Sequence, residues 1–238
     1  ITGSSSYGQV ATGAGGGYGG AGSDGCYRSS SSYVQKKPAG GTTYGSALLP
    51  WDYGSGGGHG YMYTRYVGNW YEYGNYRSCS GSPGGKGGGR IKLNVTTTLT
   101  MQVGSSVTAA GTDAPNRYAF PYSNQYCDNW GSTLYGSSCV YSGGGGSGGS
   151  IQVHASSIQG YGTISADGGG GITGTSYNRP VGGGGGGRIA VYTRSGDMSA
   201  GVAVHAAGGS RNTGSSCIGG KGSVLQTQLA VCEIFHHQ

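Results

Sequence analysis

The side chains able to do chemistry are few and scattered along the 238-residue chain. Eight carboxylates and five histidines would have to supply any acid–base or metal chemistry. Cleavage of a glycosidic bond needs two carboxylates, one to protonate the leaving oxygen and one to activate water or attack. Only Asp24 and Asp52 precede His59, and neither has a second acid beside it. Glu72, Asp113, Asp128, Asp167, Asp197 and Glu233 are equally isolated, so neither a calcium cage nor a lyase cluster is expected. Asp167 stands beside four glycines, the setting of a solvated turn carboxylate, with single cation ligation as the sharper alternative. His154 and His205 take outward positions in alternating segments, His236 and His237 lie at the carboxy end, and none has a partner at ligand spacing. The expectation is a non-enzymatic protein with no cofactor and no metal.

The six cysteines form no CxxC and no Cys/His pair at zinc spacing, which favours disulfides in an oxidising compartment. Proximity along the chain pairs Cys26 with Cys79, Cys127 with Cys139 and Cys217 with Cys232, one of fifteen connectivities; a bridge between subunits is the alternative. Asn94-Val95-Thr96 is the one glycosylation sequon, and outward parity on a strand leaves Asn94 available.

Aromatic residues supply the other candidate chemistry. Ten of them fall between Tyr44 and Tyr76, among them Trp51, Tyr61, Tyr63, Tyr66, Trp70, Tyr71 and Tyr73, and a second group around Trp130 lies in residues 112–142. Tyr offers a ring on one side and a hydroxyl on the other. Dense Tyr with few charges therefore describes an interface, or a platform for stacking sugar rings, better than a core.

The elements that must position these groups are unusual. Gly and Pro account for 63 residues and Leu for only seven, which argues against a helical bundle or a doubly wound enzyme and demands an ordered repeat if the chain is to fold. The repeat exists. Gly87-Gly88-Gly89-Arg90-Ile91-Lys92-Leu93 recurs as Gly148-Gly149-Ser150-Ile151-Gln152-Val153, as Gly186-Gly187-Arg188-Ile189-Ala190-Val191, and more faintly as Gly220-Lys221-Gly222-Ser223-Val224-Leu225. A second block follows the first three after 13 to 16 residues: Val107 to Gly111, Ile164 to Gly168 and Val204 to Gly208. Each block alternates apolar and polar residues, the period of a half-buried strand. In the longest run Ile91, Leu93, Val95, Leu99, Met101 and Val103 share the inward parity, with a bend expected near Thr97.

One such strand pair cannot bury its apolar side, whereas stacked copies make a continuous narrow core. The glycine runs at 143–146, 168–171 and 182–187 keep fixed places relative to the strands. They are expected to be ordered, packed as extended or polyproline-II-like chains that approach more closely than side chains would permit. The sequence reads as an all-β chain: a short parallel β-solenoid with ordered polyglycine layers, a single domain over 1–238, with Tyr/Trp-rich loop insertions at 14–83 and 112–142.

Gly182 to Ile189 and Gly160 to Gly169 resemble the glycine-rich right-handed parallel β-helix repeats of large secreted and cell-surface proteins. The resemblance covers about half the chain, mainly 84–111 and 143–225, and implies a right-handed coil in an adhesin, surface layer or fibre. Gly58-His59-Gly60 and Arg90-Ile91-Lys92 also resemble two motifs of the polygalacturonases, but the three aspartates of that family have no counterpart ahead of His59. A net charge of +6 spread without a basic run gives nucleic acid little to hold, and no stretch approaches 18 apolar residues, so no membrane insertion is expected. With no leader at Ile1, any secretion signal is expected to have been removed or to lie outside the sequence. The expected localisation is extracellular or cell surface. The expected partner is the chain itself, polymerised head-to-tail, with surface glycans as an alternative and a β-helix hydrolase or lyase as a third reading.

Overall fold

The computed structural model describes residues 7–11, 13–25, 34–35, 38–65, 76–80, 83–115, 143–171, 181–210 and 217–229, with the backbone alone for the strands at 7–11, 34–35, 61–65 and 76–80. The described residues are all-β and contain no helix. Eleven strands run in order: β1 Tyr7–Ala11, β2 Val34–Gln35, β3 Tyr61–Arg65, β4 Tyr76–Ser80, β5 Arg90–Asn94, β6 Thr98–Thr108, β7 Ser150–Ala155, β8 Ser157–Ser165, β9 Arg188–Thr193, β10 Val202–His205 and β11 Ser223–Gln228. They form three sheets. Strands β2-β1-β3-β4 make a mixed sheet, while β11-β9-β7-β5 and β10-β8-β6 are each parallel throughout.

The repeat visible in the sequence is the register of the parallel sheets. Ile91 lies opposite Ile151, Ile151 opposite Ile189 and Ile189 opposite Val224, so the four first blocks stack residue for residue. The second blocks do the same, with Val107 opposite Ile164 and Ile164 opposite Val204. Alternation then sends Ile151, Val153, Ile189 and Val191 from one sheet, and Met101, Ile158, Ile164 and Val202 from the other, into one apolar cluster. Each fully buried Ile or Val contributes about 1.5–3 kcal/mol relative to an exposed position. Ala109, Ala166 and Ala206, which follow the second strands, are buried in the same cluster.

The chain turns between Asn94 and Thr98, at the expected bend. Val103 does not keep its expected inward place: it is 84% exposed. Between Met101 and Ser105 the register with β8 shifts, so that residues 102–104 of β6 face only Tyr161. Gly104 and Gly160 take φ values of 81° and 98° at this bulge. Those left-handed conformations suit glycine, and the extra residues swing Val103 out of the pleat.

The glycine segments pair by backbone bonds with a period of three. Within 143–149, Gly144 and Ser147 donate to the carbonyls of Gly58 and Ser55 at 2.9 Å each, Gly145 and Gly148 to Gly182 and Gly185 at 2.8 and 2.9 Å, and Gly146 and Gly149 to Thr112 and Ala109 at 3.1 and 2.8 Å. The same rotation occurs in 182–187: Gly182 and Gly185 donate to Gly13 and Gly16, Gly183 and Gly186 to Cys217 and Gly220, and Gly184 and Gly187 to Gly169 and Ala166. Carbonyls of 143–149 in turn accept from Gly16, from Gly85 with Gly88, and from Gly169. Six stretches of backbone thus surround this segment: 13–16, 55–58, 85–88, 109–112, 166–169 and 182–185. A segment bonded on every side has nowhere to put a side chain. A Cβ at Gly145 would fall on the Gly169 carbonyl, and one at Gly184 on the Gly146 carbonyl. Ser147 is the exception, because its hydroxyl fits into the bonding itself, accepting from the Ser55 N–H at 2.8 Å.

Candidate functional site

Two features could act on other molecules: the outer face of the β5-β7-β9 sheet, with the segment that crosses it, and the free edges of the end strands. The outer side chains of this sheet include Arg90 and Lys92 on β5, Ser150, Gln152 and His154 on β7, and Arg188, Ala190 and Tyr192 on β9. Residues 44–53 pass over them and are tied down strand by strand. Arg188 donates from Nε and Nη2 to the Tyr44 carbonyl at 3.0 and 2.8 Å. The Tyr192 hydroxyl donates to the Leu48 carbonyl, and the Ser150 hydroxyl to that of Asp52. Tyr18, fully buried beneath, shares a 2.6 Å hydrogen bond with Ser150 and packs its ring 4.9 Å from that of Tyr44. Burial raises the Tyr18 phenol above its ordinary range, so it remains a neutral bonding group.

The strap buries Gln152, Ala190 and Pro50 but leaves its own apolar side out. Leu48, Leu49, Trp51 and Tyr53 are 64%, 66%, 50% and 59% exposed. Arg90 holds its guanidinium 4.2 Å from the centre of the Trp51 ring and 5.1 Å from that of Tyr53, and the Lys92 ammonium lies 5.8 Å from Trp51. Further along, His154 stacks on Tyr192 with ring centres 4.8 Å apart. Burial, and then the Lys92 charge, push the His154 imidazole below its usual range.

The free edges lie at opposite ends of the stack. Strand β5 ends one sheet and β6 the other at one end; β11 and β10 end them at the other. No described residue pairs with the outer edge of any of these four strands. In β11 the N–H of Ser223 donates to Gly187, so this parity faces β9 and the N–H groups of Val224, Gln226 and Gln228 face outward.

Of the residues singled out from sequence, Trp51 joins Arg90 and Lys92. Asp52 and His59 are both exposed, and Asp52 lies beside Gly45 and the Tyr18 ring. Asn94 is exposed at the end of β5. Cys217 is disulfide-bonded and buried, and Cys79 lies in β4; Cys26, Cys127, Cys139 and Cys232 lie outside the described residues. Tyr61 and Tyr63 belong to β3, for which only the backbone is described, and Tyr66, Trp70, Tyr71, Tyr73 and Trp130 lie outside the described residues. His154 and His205 point outward as expected. Asp167 accepts from the Ala207 N–H at 2.7 Å and lies 2.9 Å from His205 Nδ1. Asp24 and Asp113 likewise accept backbone N–H groups, from Gly40 and Gly170. These carboxylates serve neighbouring glycine segments as hydrogen-bond acceptors. Among the described residues no three His, Cys, Asp or Glu side chains gather to hold a metal, and no helix is long and apolar enough to cross a membrane.

Sequence reasoning missed Tyr18, Arg188 and Tyr192 as anchors of the strap. For Arg188 and Tyr192 the signal was faint but present, polar and aromatic residues on the outward parity of a strand whose other parity is apolar, whereas Tyr18 lies between β1 and β2 and carried no such signal. Comparison with family models, curated proteins and solved structures finds no match, so the functional reading rests on geometry.

Proposed function

We propose that this is a non-enzymatic structural protein, extracellular or at the cell surface, built as a short right-handed β-solenoid with ordered polyglycine layers and self-assembling head-to-tail into a filament, sheath or appendage. The observation that carries the reading is the pair of open ends. Both parallel sheets finish in edge strands at each end, β5 with β6 and β10 with β11. Since every strand of a parallel sheet runs the same way, the edge of β11 in one copy is complementary to the edge of β5 in the next. The step is a translation that does not close on itself, which generates a fibre. The period-three bonding of 143–149 and 182–187 supports the polyglycine layers, because a chain with three residues per turn directs successive N–H groups in three directions. The Cys217 disulfide supports an oxidising compartment.

Gln226→Pro tests the assembly. Its N–H faces away from β9, so proline there leaves the internal ladder whole and removes one donor from the outer edge. The expected outcome is that the unaltered chain elongates with rising concentration under negative stain and in sedimentation, while the variant stays short at unchanged thermal stability. Strictly monomeric particles for the unaltered chain across micromolar to millimolar concentration would overturn the proposal, and so would equal elongation by the variant.

A further inference from the structure

We propose that the exposed side of the 44–53 strap, together with Arg90 and Lys92, is a binding site for an acidic polysaccharide, with a sugar ring stacked at Trp51 and the uronate carboxylates held by the two cations. The chemistry is set by three observations on one face. First, Trp51 is half exposed although it belongs to a segment otherwise tied down by its carbonyls, and Leu48 and Leu49 extend the apolar surface beside it. An indole presents the flat, electron-rich face on which the C–H side of a pyranose packs. Second, Arg90 and Lys92 stand on the same parity of β5, roughly 7 Å apart along the strand, with both cationic groups drawn toward that indole. A guanidinium lying over a ring still directs its N–H edge outward, in the fork that fits a carboxylate.

Third, these charges are not already spent. No described carboxylate forms an ion pair with Arg90 or Lys92, and the carboxylate of Asp52 is turned toward Gly45 and Tyr18. Among the described residues, the contact Arg90 makes besides the rings is a marginal one, Nη1 to the Trp51 carbonyl at 3.5 Å. Two cations held over an aromatic, with apolar surface beside them, form a site that lacks its anion.

Charge decides among occupants. A second copy of the chain carries +6 and would bring like charge to the patch. Nucleic acid derives its affinity from neutralising many phosphates and loses it steeply with salt, and two cations neutralise few. An acidic polysaccharide uses both halves of the site, one carboxylate per cation and one ring per indole. This inference does not rest on assembly: Arg90 and Lys92 stand on β5, whose backbone edge makes the proposed filament contact, but their side chains project from the face of the sheet toward the strap and not from its edge.

The test uses the full chain and four probes: polygalacturonate, neutral dextran, single-stranded DNA, and phosphatidylserine–phosphatidylcholine vesicles. At 0.15 M salt the expected result is binding of polygalacturonate in preference to the other three. Trp51→Ala and Arg90→Gln should each weaken it about tenfold, in keeping with the loss of a cation–π and stacking contact. Both side chains are exposed, so the variants should retain the unfolding midpoint and the assembly state of the parent. Absence of polygalacturonate binding, dextran, DNA or vesicles bound as tightly, or variants that bind like the parent would each overturn the site. None of those results would bear on the filament.

Discussion

At the scale of single residues, the price of a methyl group depends on how many chains surround the glycine that receives it. Gly184 donates to Gly169, accepts from Gly209, and has no room for a Cβ beside the Gly146 carbonyl. Gly89, at the entry to β5, has nothing within 4 Å of the same position. Gly184→Ala is expected to cost more than about 3 kcal/mol, since backbone on both sides must move. Gly89→Ala should be neutral, or stabilising by up to about 1 kcal/mol through the unfolded chain. Urea unfolding of the pair measures the contrast; equal effects would mean that the glycine segments are not packed as described. His154 gives a second prediction. Burial and Lys92 favour its neutral form in the fold, while the unfolded imidazole takes up its proton near pH 6.5. Below that pH the unfolded state binds more protons, so the stability present above 6.5 is lost as pH falls toward the lower folded value. His154→Phe keeps the stack on Tyr192 and should flatten the stability profile between pH 7.5 and 5.5. A variant profile parallel to that of the parent would discount this histidine.

At the scale of elements, much was legible because strand pairing here copies a repeat. Matching Arg90-Ile91 with Arg188-Ile189 on paper is the same operation as stacking β5, β7 and β9 in space, so the register of the parallel sheets could be written down from glycine-anchored blocks. Alternation failed where glycine entered a strand. Gly104 and Gly160 carry no side chain to reveal which way the pleat runs, and the bulge they form exposed Val103. The strap was less legible still. Residues 44–53 have no period, and they are held chiefly through their own carbonyls by Arg188, Tyr192 and Ser150. Acceptors of that kind are identical in every residue, so the sequence of the strap records little about where it lies. Its exposed side is different: Trp51 stood out among the clustered aromatic residues, but the partners that give it a chemical meaning lie about 40 positions away on β5.

At the scale of the molecule, the same bonding that forbids side chains ties distant parts of the chain into one cooperative unit. Residues 143–149 bond to stretches as far apart as 13–16 and 182–185, and 182–187 bond to 13–16 and 217–220. Ordering each glycine costs roughly 1–2 kcal/mol of backbone entropy. That cost is offset only while all the neighbours are in place. Removing one segment would strip partners from six others and expose the ends of the strands that follow, so a state with ordered strands and loose glycine has little to hold it. The expected consequence is that amides of 144–149 and 182–187 exchange with nearly the free energy of the β7 and β9 amides, within about 1 kcal/mol, by global rather than local opening. Hydrogen exchange followed by mass spectrometry measures this directly. Glycine amides that exchange within seconds while 151–154 and 189–192 remain protected would show that the strands hold the core alone, and the proposed polyglycine layers would then have no part in the stability of the scaffold.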